Sequence, residues 1–406
     1  MGSSMNSAVS GLRAHQLMLD VVGNNIANVN TPGYKAGRTT FSDVLSQTIA
    51  GATAPSGNLG GTDPQQVGLG VRTGAITNLF TQGGILTTNK PTDLAIQGDG
   101  FFMLSDGSAN YYTRAGAFEV DSAGNLVDSV TGYRVQGAAG DITISSTATS
   151  APVGTTTATF TGNLDSTVDP ASTYTATISI NDSLGATHNL TVTYTKTATP
   201  GEFSYAVTIP ASDTTMTIAA STTPNLQFSG SGALPVGTVG SLTLNYTNGA
   251  SSGQVVTLDF ASAANPTKVT GFASPSTLAL GNQNGYASGT LQSFSIGTDG
   301  SINGTFSNGR SQSLGTMRLA TFANAAGLSK VGSNLFRESS NSGVANVGNA
   351  GTGGRGTLAP GSLEGSNVDL ADEFTKLIVA QRGFQANARV ITTSDEVLQE
   401  AVNLKR

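Results

Sequence analysis

The chain contains no cysteine, which excludes a disulfide framework and a thiolate metal site alike. Charge is scarce as well. Asp, Glu, Lys and Arg make up 11% of the 406 residues, against roughly a quarter in ordinary soluble domains, and no arginine occurs between Arg134 and Arg310. The net charge of -6 leaves out the basic footprint of a nucleic-acid binder. No apolar run approaches the roughly 18 to 20 residues of a membrane span. The first thirty residues lack the basic n-region, apolar core and A-x-A site of a cleavable signal. The expectation is a protein that either stays in the cytoplasm or leaves by a route that reads an uncleaved N-terminus. With two histidines, His15 and His188, the usual clustered metal site is out of reach, and neither a metal nor another cofactor is expected.

What is abundant is glycine, at 52 copies, together with Ser, Thr, Asn and Gln. Such a surface of short neutral side chains suits an extracellular, β-rich protein, and the length allows two or three domains with real cores. Apolar order is concentrated at the two ends. Met5, Ala8, Leu12, His15, Leu19, Val22, Ile26 and Val29 keep a 3-4 alternation, the spacing of a coiled-coil seam. Leu370, Phe374, Leu377, Gln381, Phe384, Ala388, Ile391, Asp395, Leu398 and Val402 keep it for longer, with Lys376, Arg382 and Arg389 off the stripe. Paired antiparallel, the two helices would bring His15 roughly level with Gln381, where a buried polar pair would fix register. The competing reading leaves His15 facing solvent or a channel. Helices whose partner lies over three hundred residues away are marginal alone and are expected to be frayed in an isolated chain.

Four asparagines close the first helix. Asn28 or Asn30 suits a left-handed C-cap, and Pro32-Gly33 forbids continuation. Asn24 and Asn25 lie one turn earlier, where their amides would bond across an assembled helix–helix interface or else face water. Between the helices the pattern is β. TYTATISI, HNLTVTYTK, FSYAVTIP, SLTLNYT and QVVTLDF, all within 146–284, alternate apolar and polar residues as half-buried antiparallel strands do. Short strands punctuated by turns recur over 94–136 and 291–337.

The expected fold class is therefore mixed and mainly β: discontinuous antiparallel β domains strung outward from a paired N- and C-terminal α-helical coiled-coil region. Residues 1–33 form the N-terminal assembly helix, 34–90 an extended connector, and 364–406 the C-terminal helix. Segments 91–145 and 285–363 combine into one β domain, and 146–284 is inserted in it as an outer domain. Catalytic motifs are decoys on this reading. GASSG at 249–253 matches a nucleophile elbow around Ser251, but that elbow needs a strand-to-helix turn and a histidine base; a tight β turn is preferred. GTGGRG at 351–356 matches G-x-G-x-x-G, yet Pro360 follows in place of a helix, and it reads as a flexible joint before the last helix. Asp121, Asp128, Asp165 and Asp169 sit in turn contexts where Asp accepts backbone hydrogen bonds. The protein is expected not to be an enzyme.

The motifs SAVSGL (7–12), LDVVGNNIANVNTPGYKA (19–36), LAIQGDGFF (94–102), TGNLD (161–165) and LEGSNVDLADEFTKLIVAQRGFQANARVITTSDEVLQEAVNLK (363–405) together resemble the bacterial flagellar rod and hook proteins. The length, TGNLD and NDSLG (181–185) are similar to the hook members more than to the shorter rod members. The resemblance implies export unfolded through the flagellar type III apparatus, growth at the distal end beneath a hook cap protein, and a helical homopolymer around a channel. Its neighbours would be the distal rod protein and the hook–filament junction protein, with no nucleic acid and no membrane span. The implied function is a structural subunit of a flexible, curved tube that transmits torque from motor and rod to filament. Polymerisation is expected to use Leu12, Leu19, Val22, Asn24, Asn25, Ile26, Asn28, Leu370, Phe374, Leu377, Gln381, Phe384, Ile391 and Leu398. The alternatives are the distal rod protein and, more remotely, a secreted β-rich adhesin or binding module.

Overall fold

The structure is a computed structural model that describes residues 2–55, 60–263, 265 and 268–403. It divides into two compact units. The first comprises 1–145, 295–303 and 313–406, the second 146–294 and 304–312.

In the first unit, helix α1 (Gly2–Ala27) packs on helix α2 (Leu370–Asn403). Both helices are formed in the single chain, in place of the expected fraying. Asp369 starts α2 as an N-cap: its carboxylate accepts the Ala371 and Asp372 N–H groups at 2.8 and 3.3 Å, and Asp372 and Glu373 add negative charge to the first turn, where the helix dipole favours it. Beyond α1 the chain is extended. Gly37–Asp43 pairs antiparallel with Val71–Asn78, slipping register between Thr40 and Phe41, and Ser46–Ala50 pairs with Gln65–Gly68.

The larger sheet of this unit runs Ser329–Gly332, Leu335–Arg337, Asn110–Thr113, Phe101–Ser105, Arg134–Gly137, Leu126–Asp128, Phe118–Val120. Arg318–Thr321 branches from Phe101–Ser105 and carries Asn346–Asn349 on its other side. Its core is aromatic: Phe80 meets Phe101 and Phe336 edge-on at 5.3 and 5.2 Å, and Tyr112 meets Phe322 at 4.8 Å. Such edge contacts set positively polarised ring rims against ring faces, which adds to the area buried.

The main core of the second unit lies between two sheets. Thr173–Asn181, Thr187–Lys196, Glu202–Thr208 and Leu226–Gln227 form one. The other runs Met216–Thr222, Val239–Tyr246, Gln254–Asp259, Thr157–Thr161, Ala279–Gln283. Alternate residues such as Ile178, Ile180, Leu190 and Val192 from one sheet and Leu242, Leu244, Val256 and Leu258 from the other are buried together, the half-buried pattern that the alternation predicts. One pairing departs from the antiparallel expectation. Thr157–Thr161 runs parallel to Gln254–Asp259, because the segment enters the sheet between Gln254–Asp259 and Ala279–Gln283 and is antiparallel only to the latter. The TGNLD motif acts here as a tether. Buried Asn163 donates to the Phe272 and Ser274 carbonyls at 3.2 and 2.8 Å and accepts the Phe272 N–H at 2.8 Å.

Candidate assembly interface

Small residues set the face between the two helices. A Cβ at Gly383 would lie 2.5 Å from the His15 ring, and one at Gly11 would lie 2.8 Å from the Asn387 amide. Further along, the Asn25 amide donates to Glu373 at 3.0 Å. Each step forward along α1 is matched by an equal step back along α2, so the pairing is antiparallel and held in register by side chains seated over glycines. Ala8, Gly11, Ala14, Val22 and Asn25 are buried on α1, with Glu373 and Ala380 on α2.

This places the fourteen predicted interface residues unequally. Val22 and Asn25 are buried within the chain. Leu12, Leu19, Ile26, Asn28, Leu377, Ile391 and Leu398 are half-buried, while Asn24, Leu370, Phe374, Gln381 and Phe384 are exposed. His15 rests on Gly383 and near Phe41, with ring centroids 6.3 Å apart, and not beside Gln381. The paired face of α2 is thus rotated from the predicted stripe, since a pattern search weighs large apolar residues and the tight contact uses glycine and alanine.

Of the asparagine run only Asn25 turns inward, and none of the four caps the helix in the left-handed region. Asn28 and Asn30 are not among the residues of positive φ; Gly33 is, at 69°. The helix closes through shorter turns, with the Asn28 N–H on the Asn25 carbonyl at 3.1 Å and the Thr31 N–H on the Asn28 carbonyl at 3.1 Å. Asn28 also donates from its side chain to the Asn24 carbonyl at 2.9 Å. Asn25 is saturated: besides Glu373 it donates to the Gly37 carbonyl, accepts the Gly37 N–H at 2.9 Å and accepts the Tyr34 hydroxyl at 3.2 Å. At Gly33 a Cβ would meet the Ala115 nitrogen at 2.5 Å, so only glycine fits, and its N–H donates to the Glu364 carbonyl at 2.7 Å.

Beneath this turn lies a buried ion cluster that sequence reasoning missed. Glu364 accepts Lys35 at 2.6 Å on one oxygen and Arg114 at 3.3 Å on the other, all three being out of solvent. The Gly83 N–H adds a bond to Glu364 at 2.9 Å, and Lys35 also donates to the Thr81 carbonyl at 2.7 Å. Burial pushes the Lys35 and Arg114 pKa values down, against the pull of the Glu364 carboxylate. Asn367 completes the junction, accepting the Ala36 N–H at 2.8 Å and donating to the Leu79 carbonyl at 2.7 Å. Lys35 belongs to the NTPGYK run and Glu364 and Asn367 to LEGSN, so the available signal was the two motifs themselves.

The catalytic look-alikes resolve into turns. GASSG joins Val239–Tyr246 to Gln254–Asp259, and the Ser251 N–H donates to Ser183 at 2.8 Å. Both ring nitrogens of His188 face carboxylates, Asp213 at 2.6 Å and Asp182 at 3.3 Å. Gly351, Gly353 and Gly354 all have positive φ, and Arg355 donates back to the Asn349 carbonyl at 3.2 Å, so this turn is tied down and leads to the strand Thr357–Pro360, not to a helix. Asp121, Asp128 and Asp165 accept neighbouring backbone N–H groups as expected; Asp169 does so through its carbonyl, from Ser172.

Comparison with known proteins matches four family models: "Flagella basal body rod protein" over 5–35, "Flagellar hook protein FlgE/F/G D1 domain" over 95–157, "Flagellar basal body protein FlaE D2 domain" over 145–286 and "Flagellar basal body rod FlgEFG protein C-terminal" over 359–404. The chain is 38% identical to the flagellar hook protein FlgE of Treponema pallidum and 40% identical to that of Borreliella burgdorferi, covering 99% of both chains in each case. It is 34% identical to the flagellar basal-body rod protein FlgG of Bacillus subtilis, again over 99% of both. The matched end segments carry the helix pair and the Lys35–Glu364 bridge, and the matches reach from one end of the chain to the other: it belongs to the flagellar hook protein family.

Proposed function

We propose that the chain polymerises into the flagellar hook, a curved helical tube that bends as it turns and passes torque from rod to filament. The observation that carries this reading is the part of α2 that α1 leaves bare: Phe374, Ile378, Val379 and Val397 are each at least 50% exposed. Large apolar side chains left exposed along a helix in this way suit a contact with another chain, and each one buried between copies contributes roughly 1.5 to 3 kcal/mol. Leu370, Phe384 and the half-buried Leu12, Leu19, Ile26, Leu377, Ile391 and Leu398 extend the contact. The paired helices form the inner wall and the β segments the outer layers. The sparse charge of 146–284 lets neighbouring copies exchange weak contacts and water as the tube bends, where fixed ion pairs would hold discrete positions.

The partners on this reading are further copies of the chain, the hook cap protein during growth, the distal rod protein and the hook–filament junction protein at the two ends, and the type III export apparatus. The site of action is the flagellum, outside the cell. Among the described residues no helix is long and apolar enough to cross a membrane. Electron micrographs of the polymerised full chain test the reading: flexible curved tubes are expected. Straight rigid shafts would favour the distal rod alternative, to which the likeness to the Bacillus subtilis rod protein lends support, and the absence of any polymer would overturn both.

A further inference from the structure

On another flank of α1, away from α2, the helix and the strand Val71–Asn78 enclose a groove of about 590 Å³. Val9, Arg13 and Leu17 line it from the helix, and Val71 and Arg72 from the strand. Its floor is fastened, because the Ser10 hydroxyl accepts the Val71 N–H at 3.1 Å. Its rim carries two exposed guanidinium groups, Arg13 and Arg72. Arg72 is aimed by a 3.1 Å bond from Nε to Ser42. Neither arginine has a carboxylate within ion-pair distance among the described residues, where cations pair only through Lys35, Lys90, Arg114, Arg134, Lys376 and His188.

The matching surplus of negative charge is on the far half of α2. Glu396 and Glu400 stand one turn apart, both exposed and without a paired cation among the described residues. Helical spacing puts Glu400 beside Val397, and Val397 in line with Val390 two turns earlier; both valines are exposed. The same chain cannot bring these groups together. With His15 seated on Gly383, Arg13 lies level with about residue 385, so Glu396 is about 16 Å farther along the axis at 1.5 Å per residue.

We propose that the groove receives the C-terminal half of α2 from a second copy, with Val390 and Val397 against Val9 and Leu17 and with Glu396 and Glu400 against Arg13 and Arg72. The inference rests on the polymer reading above and gives it a specific contact. A copy displaced by about 16 Å along a parallel helix direction brings Glu396 level with Arg13, so the contact sets an axial step as well as an affinity. Charge pairs of this kind fix register and suppress wrong neighbours.

Charge exchange in the full chain tests it. R13E/R72E and E396R/E400R are each expected to raise the concentration needed for tube formation by about tenfold or more, while the helical signal and melting of the unassembled chain stay native. The fourfold variant is expected to return to within about threefold of the native chain. Native-like assembly of either double variant would overturn the contact, as would a fourfold variant no better than the doubles, and in both cases the polymer reading would stand. A native chain that forms no tubes removes that reading and this one with it.

Discussion

Lys35 and Glu364 are 329 residues apart in sequence and 2.6 Å apart in space, both sealed from solvent. Glu364 also pairs with Arg114, so its loss removes the one ion-pair partner that both buried cations share. Glu364→Ala is expected to cost about 3 to 5 kcal/mol, whereas Glu119→Ala, which breaks the exposed pair with Lys90, should cost less than about 1 kcal/mol. Denaturant unfolding of both variants checks this, and equal losses would contradict the role given to the buried cluster.

The glycine seats between the helices make a second prediction. Alanine is the better helix former by about 1 kcal/mol, yet a Cβ at 383 meets the His15 ring at 2.5 Å, and overpacking costs about 1 to 3 kcal/mol. Gly383→Ala should therefore weaken the helix pair. Removing the ring as well, in His15→Ala/Gly383→Ala, should relieve the clash and leave α2 more protected in amide exchange than in Gly383→Ala alone.

Acid should loosen the second unit through Asp213. Hydrogen bonds from Thr215 and then His188 hold its carboxyl at about 2, below the ordinary 3.8. A depressed carboxylate contributes stability above its unfolded value and loses it as pH falls through the folded one. Asp213→Asn is expected to melt lower than the native chain at pH 7 and to lose less than the native chain does between about pH 4 and pH 2. Calorimetry at the two ends of that window would expose the error if both chains lost the same amount.

Assembly and folding should separate along α2. Phe374→Asp and Val379→Asp alter exposed positions and are expected to give a folded, soluble chain that does not form tubes. Ala380→Asp places a charge at a fully buried position and should disrupt the helix pair in the unassembled chain. Circular dichroism together with sedimentation distinguishes the two outcomes.

Much of the fold was legible because its signals are local. TYTATISI and HNLTVTYTK alternate, and Thr173–Asn181 and Thr187–Lys196 are strands with the apolar set buried. Both terminal helices were visible in their spacing. The face they share was not, because Gly11, Gly383 and Ala380 carry no apolar weight in a pattern, while the bulky Phe374 and Phe384 that dominate the pattern are left uncovered. The Lys35–Glu364–Arg114 cluster leaves no periodic trace either: three charges meet from three distant segments, and no spacing within any of them announces the meeting. Asn25 was noticed for its oddity and read as bonding across an assembled helix–helix interface or facing water; within the chain its amide reaches Glu373 on the other helix.

The knot at Glu364 also bears on how the first unit closes. Lys35 and its counter-ion are separated by 329 residues, so the unit cannot seal that cation from water until two distant segments have met. The second unit draws most of its strands from one contiguous block, so its core does not wait on a meeting across so long a stretch of chain.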